Sequence, residues 1–102
     1  MKTDFEDLDV KLSATTNQNI GAAFHCDRYR EKTVQIYGTF TATVEIQASL
    51  NGTDYFAVQS NISAGGAYAV AFTCKFIRIK TTAYTNGTPK AKFGGFDSRS
   101  DV

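Results

Sequence analysis

Apolar and polar side chains alternate along most of this chain. Val34 and Ile36 are separated by one polar residue, and so are Val44 and Ile46. A period of two is typical of a β-strand with one buried face, because successive side chains point to opposite sides of the backbone. The pattern therefore predicts strands that each contribute one face to a hydrophobic core.

The same alternation predicts about eight short strands and no helix of ordinary length. The predicted strands fall at 8–14, 20–26, 33–38, 42–49, 53–58, 68–72, 76–84 and 88–93. This spacing predicts an all-β fold, an antiparallel β-sandwich of immunoglobulin-like or jelly-roll-like type. The domain organisation expected is a flexible N-terminal arm at 1–7, a β-sandwich domain at 8–94 and a flexible C-terminal tail at 95–102.

A turn containing Asn51 and Gly52 predicts a hairpin in the middle of the chain. A three-residue loop over 50–52, with Gly52 in the left-handed conformation, places Ile46 opposite Phe56 and keeps both on one face. Matching apolar faces in this way predicts a core. Its members are Val34, Ile36, Val44, Ile46, Phe56, Val70, Phe72, Ile77, Ile79 and Phe93.

The segment between Tyr55 and Phe96 contains basic residues and no acidic ones. A second hairpin with a loop over 85–87 places Lys80 opposite Lys92, both pointing outward, where like charges repel. Two interpretations follow, a solvated edge that discourages aggregation and a docking face for an anionic partner. The predicted partner-binding residues are Arg78, Lys80, Lys90 and Lys92, together with Phe5 and Phe96, each a lone large apolar group in a polar terminal segment.

Composition excludes several classes of function. The chain has 102 residues and a net charge of +1, which fits one domain without a global attraction to nucleic acid. The basic segment lacks interleaved aromatic residues, so no direct nucleic-acid contact is expected. No apolar run approaches the roughly 20 residues of a membrane span. The acidic N-terminus has no apolar region typical of a secretory signal, so the chain is expected to be made in the cytosol or exported by some other route.

Catalytic chemistry has little support in the residues. His25 lies in a predicted strand and is read as a structural or surface histidine, and the acidic positions near the N-terminus lack the spacing of a calcium loop. Cys26 and Cys74 are read as two buried thiols, with an inter-sheet disulfide as the alternative. We therefore expect no enzyme activity, no cofactor and no metal site.

Four segments, 34–41, 44–56, 75–81 and 86–88, together resemble small β-sandwich accessory proteins of tailed-bacteriophage virions. The resemblance implies a non-enzymatic structural component that decorates or stabilises the capsid or joins a tail assembly. It implies virion localisation after assembly in the bacterial host cytoplasm. The implied partners are other virion proteins, a major capsid or tail protein, with self-association as a further option. The alternative is a carbohydrate- or host-surface-binding β-sandwich module, although such modules usually expose tryptophan, and this chain has none.

Overall fold

A computed structural model shows an all-β antiparallel sandwich, which confirms the predicted fold class. The structure describes residues 2–12, 19–71 and 73–97. Nine strands lie in this part of the chain. They are β1 (Lys2–Leu8), β2 (Asn19–Ile20), β3 (Phe24–His25), β4 (Tyr29–Tyr37), β5 (Phe40–Ser49), β6 (Phe56–Ile62), β7 (Gly66–Val70), β8 (Phe76–Gly87) and β9 (Lys90–Asp97).

The last two strands occupy inner positions in different sheets. Sheet A has the order β1-β9-β4-β7, and sheet B has the order β2-β8-β5-β6, with β3 also paired to β8. Because β8 and β9 do not pair, the predicted hairpin between them is wrong. Lys80 lies opposite Glu45 on β5, and Lys92 lies opposite Asp7 on β1, so the predicted Lys80–Lys92 pair does not form.

The chain passes from one sheet to the other at two corners that require glycine. Gly38 joins β4 to β5 with a φ of 99°, and Gly87 ends β8 with a φ of 90°. A Cβ on Gly38 would lie 2.5 Å from the Thr88 carbonyl oxygen, and one on Gly87 would lie 2.4 Å from the Phe40 Cα. The Thr88 N–H donates to the Thr39 carbonyl at 2.9 Å, which ties the two corners together. Gly87 was assigned to a hairpin loop because hairpins and sheet crossings both use left-handed glycine.

β5 and β6 are the consecutive strands that do form a hairpin in the described part of the chain. Gly52 has a φ of 81°, which confirms its predicted left-handed conformation. The three-residue loop is wrong, since Phe56 lies opposite Ala48 rather than Ile46. The Asn51 Oδ1 accepts two backbone N–H groups farther along the loop, each at 2.8 Å. This Asx-type turn lengthens the loop, and Phe56 is 41% exposed instead of buried in the core.

The core lies between the inner faces of the two sheets, as the alternation of apolar and polar residues predicted. Eight predicted core residues are fully buried: Val34, Ile36, Val44, Ile46, Val70, Ile77, Ile79 and Phe93. Phe72 lies outside the described residues. The Phe93 ring contacts Phe24 and Tyr29, with ring centroids 4.9 and 5.0 Å away. These rings fill one end of the sandwich.

The N-terminal segment differs from the expected flexible arm, because it forms β1 along one side of β9. The Tyr29 hydroxyl donates to Asp4 Oδ2 at 2.9 Å, and the Phe5 ring lies over Gly94. An edge strand buries little of its surface, so β1 lacks the apolar alternation that reveals inner strands. β9 continues to Asp97 and so includes the start of the predicted tail, whereas 98–102 lie outside the described residues.

Candidate interaction surfaces

The six predicted partner-binding residues lie on two opposite faces of the sandwich. Ala91 and Phe93 of β9 point into the core, as do Ile77 and Ile79 of β8, so their neighbours in each strand point outward. The outer face of sheet A carries Lys90, Lys92, Phe5 and Phe96, and the outer face of sheet B carries Arg78 and Lys80. The basic residues therefore do not form one patch.

The second predicted hairpin also implies that Thr82 lies opposite Lys90, and this pairing is wrong because the two residues belong to different sheets. Lys90 lies opposite Tyr37 on β4, and the Thr82 hydroxyl donates to the Thr43 carbonyl at 3.2 Å within sheet B. The charge repulsion inferred from the sequence is therefore absent between these strands.

A hydrogen-bonded network covers the outer face of sheet B. The Arg78 Nε donates to Gln47 Oε1 at 2.8 Å, and its guanidinium lies 3.5 Å from the centroid of the Tyr55 ring. The Gln47 side-chain amide donates to Glu45 at 2.6 Å, and the Ser60 hydroxyl donates to the same carboxylate at 3.0 Å. This face directs Arg78 towards groups of its own sheet, through one hydrogen bond and one cation–π contact.

The outer face of sheet A presents an aromatic hollow. Phe5 is 68% exposed, and its ring atoms lie 3.3 Å from where a Cβ on Gly94 would stand. Phe96 is half-buried on the neighbouring strand, two residue pairs along the ladder from Gly94. The hollow has a volume of about 380 Å³ and is lined by Phe5, Glu31, Thr33, Gly94, Gly95 and Phe96. The structure thus brings together two aromatic residues that the sequence suggested separately.

Charged residues of both signs lie on the same face as this hollow. The Lys92 Nζ lies 3.2 Å from Asp7 Oδ1, and this hydrogen bond, with the attraction of the Asp7 carboxylate, raises the pKa of Lys92. The Lys90 Nζ lies 6.0 Å from the centroid of the Tyr37 ring, at the outer limit of a cation–π contact. The face therefore combines exposed aromatic surface with a mixed polar border, rather than a basic field.

Two thiols meet at one end of the core. Cys26 and Cys74 are both free and buried, as the sequence favoured, with sulfur atoms 3.4 Å apart. The hydrogen bond between the thiols lowers the pKa of Cys74 to about 7, and it raises the pKa of Cys26. Ionisation of one thiol is thus favoured at the expense of the other, because one donated hydrogen bond stabilises a single thiolate.

A cavity of about 590 Å³ between β4 and the end of β7 leads to Cys74. Its lining includes Lys32, which is only 6% exposed and whose ammonium group donates to the Tyr29 carbonyl at 3.4 Å. A buried ammonium group needs such a partner to offset its lost hydration. This burial was not predictable from the sequence, because Lys32 falls in a charged segment between two predicted strands.

The described residues contain no group of three or more His, Cys, Asp or Glu side chains able to hold a metal ion. None of their elements is a helix long and apolar enough to cross a membrane. His25 stacks on Phe76 at 4.8 Å and lies 3.4 Å from Asp27. Its contacts are those of a surface residue.

Comparison with known proteins adds one structural likeness. No family model matches the chain, and no curated protein matches its sequence. Among solved structures, the fold is similar to the crystal structure of the SPBc2 prophage-derived protein YomS, with a TM-score of 0.62 and 16% sequence identity. The match covers 93% of this chain and 95% of that one. At this identity the likeness establishes a shared β-sandwich fold over nearly the full length of both chains.

Proposed function

We propose that this protein is a non-enzymatic structural component of a bacteriophage virion. In this role it decorates or stabilises the capsid or joins a tail assembly, after synthesis in the bacterial host cytoplasm. Its partners are other virion proteins, and it makes no direct contact with nucleic acid or membrane.

The observation that carries this proposal is the likeness to a prophage-derived protein across almost the whole of both chains. The match covers 93% of this chain and 95% of that one, so the shared fold spans nearly all of both sequences. The sequence resemblance to virion accessory proteins points to the same source, and it rests on the hairpin and corner segments described above.

The outer face of sheet A is the proposed contact with the particle. Its exposed Phe5 and half-buried Phe96 border a hollow that a side chain of a capsid or tail protein can fill. Aromatic anchors seated in a partner's pocket supply much of the binding energy at protein interfaces. Lys90 and Lys92 then form part of the polar rim, where charges act mainly on association rate and specificity.

The test is the composition of purified particles. Phage particles are produced from the genome that carries this gene and purified by density gradient, and the chain is quantified against the major capsid and tail proteins. We expect several copies per particle, and equal binding to full and emptied heads. Particles that lack the chain, while it accumulates unbound in the lysate, would refute the proposal.

A second measurement distinguishes the carbohydrate-binding alternative from the proposed virion role. The purified chain is applied to a glycan array and to whole host cells. A virion structural protein gives no saturable binding on either, whereas a host-surface module gives binding that a free sugar displaces.

A further inference from the structure

The backbone holds the two buried thiols next to each other. The Cys26 N–H donates to the Lys75 carbonyl at 2.9 Å, so Cys26 is bonded to the residue that follows Cys74. The Lys75 N–H donates in turn to the Ser49 carbonyl at the end of β5, at 2.8 Å. The Cys26 carbonyl accepts from the N–H of Tyr29, the first residue of β4, at 3.1 Å. Both cysteines therefore lie on segments that are bonded to each other and to the sheets.

The two sulfur atoms are close to bonding distance. They lie 3.4 Å apart, and an approach of about 1.3 Å would bring them to the disulfide bond length of about 2.05 Å. The Cys26 thiol also donates to the Cys74 carbonyl at 3.6 Å. Side-chain rotation can supply a displacement of this size, so the bond requires no change of strand pairing.

Access to the pair is one-sided. Cys74 lines the cavity of about 590 Å³, whereas Cys26 is fully buried and is not among the described residues that line it. Cys74 itself is only 2% exposed, so a reagent has to enter the cavity to reach its sulfur. The charged lining residues are two acids and two bases: Asp27, Glu31, Arg30 and Lys32. Such a lining gives a charged reagent little net attraction and suits a small, uncharged one.

The accessible thiol is also the better nucleophile of the two. The hydrogen bond from Cys26, with the positive charge of Lys32, lowers the pKa of Cys74 to about 7 although burial opposes this shift. The thiolate, not the thiol, attacks an oxidant, so oxidation is selective for the cysteine with the lower pKa. A second cysteine beside such a thiolate can capture the oxidised sulfur before it reacts further.

We propose that Cys74 is a site of oxidation by hydrogen peroxide and that Cys26 then closes it into an intramolecular disulfide. The Cys74 thiolate attacks one peroxide oxygen, the O–O bond breaks, and hydroxide leaves a sulfenic acid on Cys74. The hydroxide takes up the proton that Cys74 released. The Cys26 sulfur then attacks the Cys74 sulfur, the S–O bond breaks, and the hydroxyl leaves as water with the Cys26 proton. The two sulfur atoms together lose two electrons, and the peroxide is reduced to water.

The disulfide would join two places where the chain changes sheets. Cys26 lies between β3 of sheet B and β4 of sheet A, and Cys74 lies between β7 of sheet A and β8 of sheet B. The bond links residues 48 positions apart, which restricts the unfolded chain and should raise the unfolding midpoint by about 10 °C or more. Oxidation is a property of the chain itself and does not rest on the proposed virion role. In a virion, the thiols would stay reduced during assembly and form the bond after release, because disulfides persist on virion surfaces.

The test treats the purified, fully reduced chain with hydrogen peroxide and follows its mass and its unfolding midpoint. The mass should fall by about 2 Da through loss of the two thiol hydrogens. Peptide mapping should join Cys26 to Cys74, the unfolding midpoint should rise, and dithiothreitol should reverse both changes. Cys26→Ser keeps a hydrogen-bond donor but removes the second thiol, so the sulfenic acid should persist on Cys74 and be labelled by dimedone. Cys74→Ser is the matched control, and the buried Cys26 that it leaves should be labelled far more slowly.

A second pair of variants tests the contribution of the cavity. In the Cys26→Ser chain, Lys32→Met removes the charge, keeps an apolar stem and should slow the labelling of Cys74 several-fold. Lys75→Met is the control, because Lys75 follows Cys74 in the chain but is exposed and is not among the cavity's lining residues. Thiols that stay free in peroxide, a disulfide that joins two chains, or equal labelling of the two serine variants would overturn the proposal. If the serine variants do not fold, the mapped and reversible bond in the unmodified chain decides the outcome.

Discussion

The two outer faces of the sandwich use their charged residues differently. On sheet B, Arg78 is bonded to Gln47 and stacked on Tyr55, and Glu45 accepts bonds from two neighbours. On sheet A, Phe5 remains 68% exposed beside a hollow. On sheet B, Arg78 and its polar neighbours are thus already hydrogen-bonded to groups of the same sheet.

This difference means that basic residues and exposed aromatic residues would contribute differently to binding a partner. A charge already held by its own sheet gives up an existing interaction when a partner arrives. An exposed aromatic ring gives up only its contact with water, and burying it is favourable in proportion to the apolar area removed from solvent. We therefore propose sheet A as the contact surface and expect a structural role for Arg78.

The largest expected effect comes from breaking the core that supports both faces. Ile46→Ala or Ile79→Ala should lower the free energy of unfolding by about 2–5 kcal/mol, because each leaves a cavity between the sheets. Denaturant titration measures this change. Leu50→Ala removes a similar side chain that is 62% exposed and should change the value by less than about 0.5 kcal/mol. Equal losses at buried and exposed positions would contradict the observed core.

Particle binding distinguishes the two faces directly. Phe5→Ala should weaken binding to purified particles about tenfold or more, as expected for an aromatic anchor at an interface. Phe56→Ala provides the matched control, since Phe56 is also an exposed phenylalanine but belongs to sheet B. A greater loss of binding for Phe56→Ala would move the contact surface to the opposite side of the molecule.

Thermal and denaturant stability should reveal the structural role of Arg78. Arg78→Ala should lower the free energy of unfolding by about 1 kcal/mol, because it removes a charge-assisted hydrogen bond and a ring contact. Arg78→Lys keeps the charge without the planar guanidinium, so it should not restore the lost stability. Lys92→Ala removes only a surface ion pair and should leave the unfolding midpoint nearly unchanged. Full rescue by lysine would show that charge alone matters at position 78.

The smallest expected effect is a pH dependence at the attachment of β1. Burial, reinforced by the hydrogen bond to Asp4, raises the pKa of Tyr29 above its usual value of 10. A raised pKa in the folded state contributes stability below pH 10, and this contribution is lost as pH rises through the folded pKa. Tyr29→Phe should therefore reduce the fall of the unfolding midpoint in alkaline solution. Tyr37→Phe, on the same strand, serves as the control. If both substitutions changed the alkaline fall of the unfolding midpoint equally, the contact between Tyr29 and Asp4 would not be its cause.

The core was predictable because alternation depends only on which side of a strand faces water. The burial of Val44 and Ile46 could be predicted without knowing which strands pair with β5. The pairing of strands was not predictable, since Gly87 has the same left-handed backbone in a hairpin loop and in a sheet crossing. β1 was missed because an edge strand held by Asp4, Phe5 and backbone hydrogen bonds has no apolar period to reveal it.

The candidate surface was predictable residue by residue but not as a group. Phe5 and Phe96 stood out as apolar side chains in polar segments, and pairing of β1 with β9 brings them together. Lys80 and Lys92 were grouped through a hairpin that does not exist. The hydrogen-bonded network around Glu45 and Gln47 was not predicted. Their alternation with buried residues does indicate that both side chains point outward from β5, where side chains of a neighbouring strand can bond to them.

The inner positions of β8 and β9 determine when this chain can fold during synthesis. Each sheet closes around a strand that is synthesised after both of its neighbours, so the earlier strands remain without their central partner until then. Most pairings join distant parts of the sequence, and such high contact order is associated with slow folding. Interruption of synthesis before β9 would leave β1 and β4 unable to meet. Unpaired apolar strands would then be exposed, a state that favours aggregation of the nascent chain.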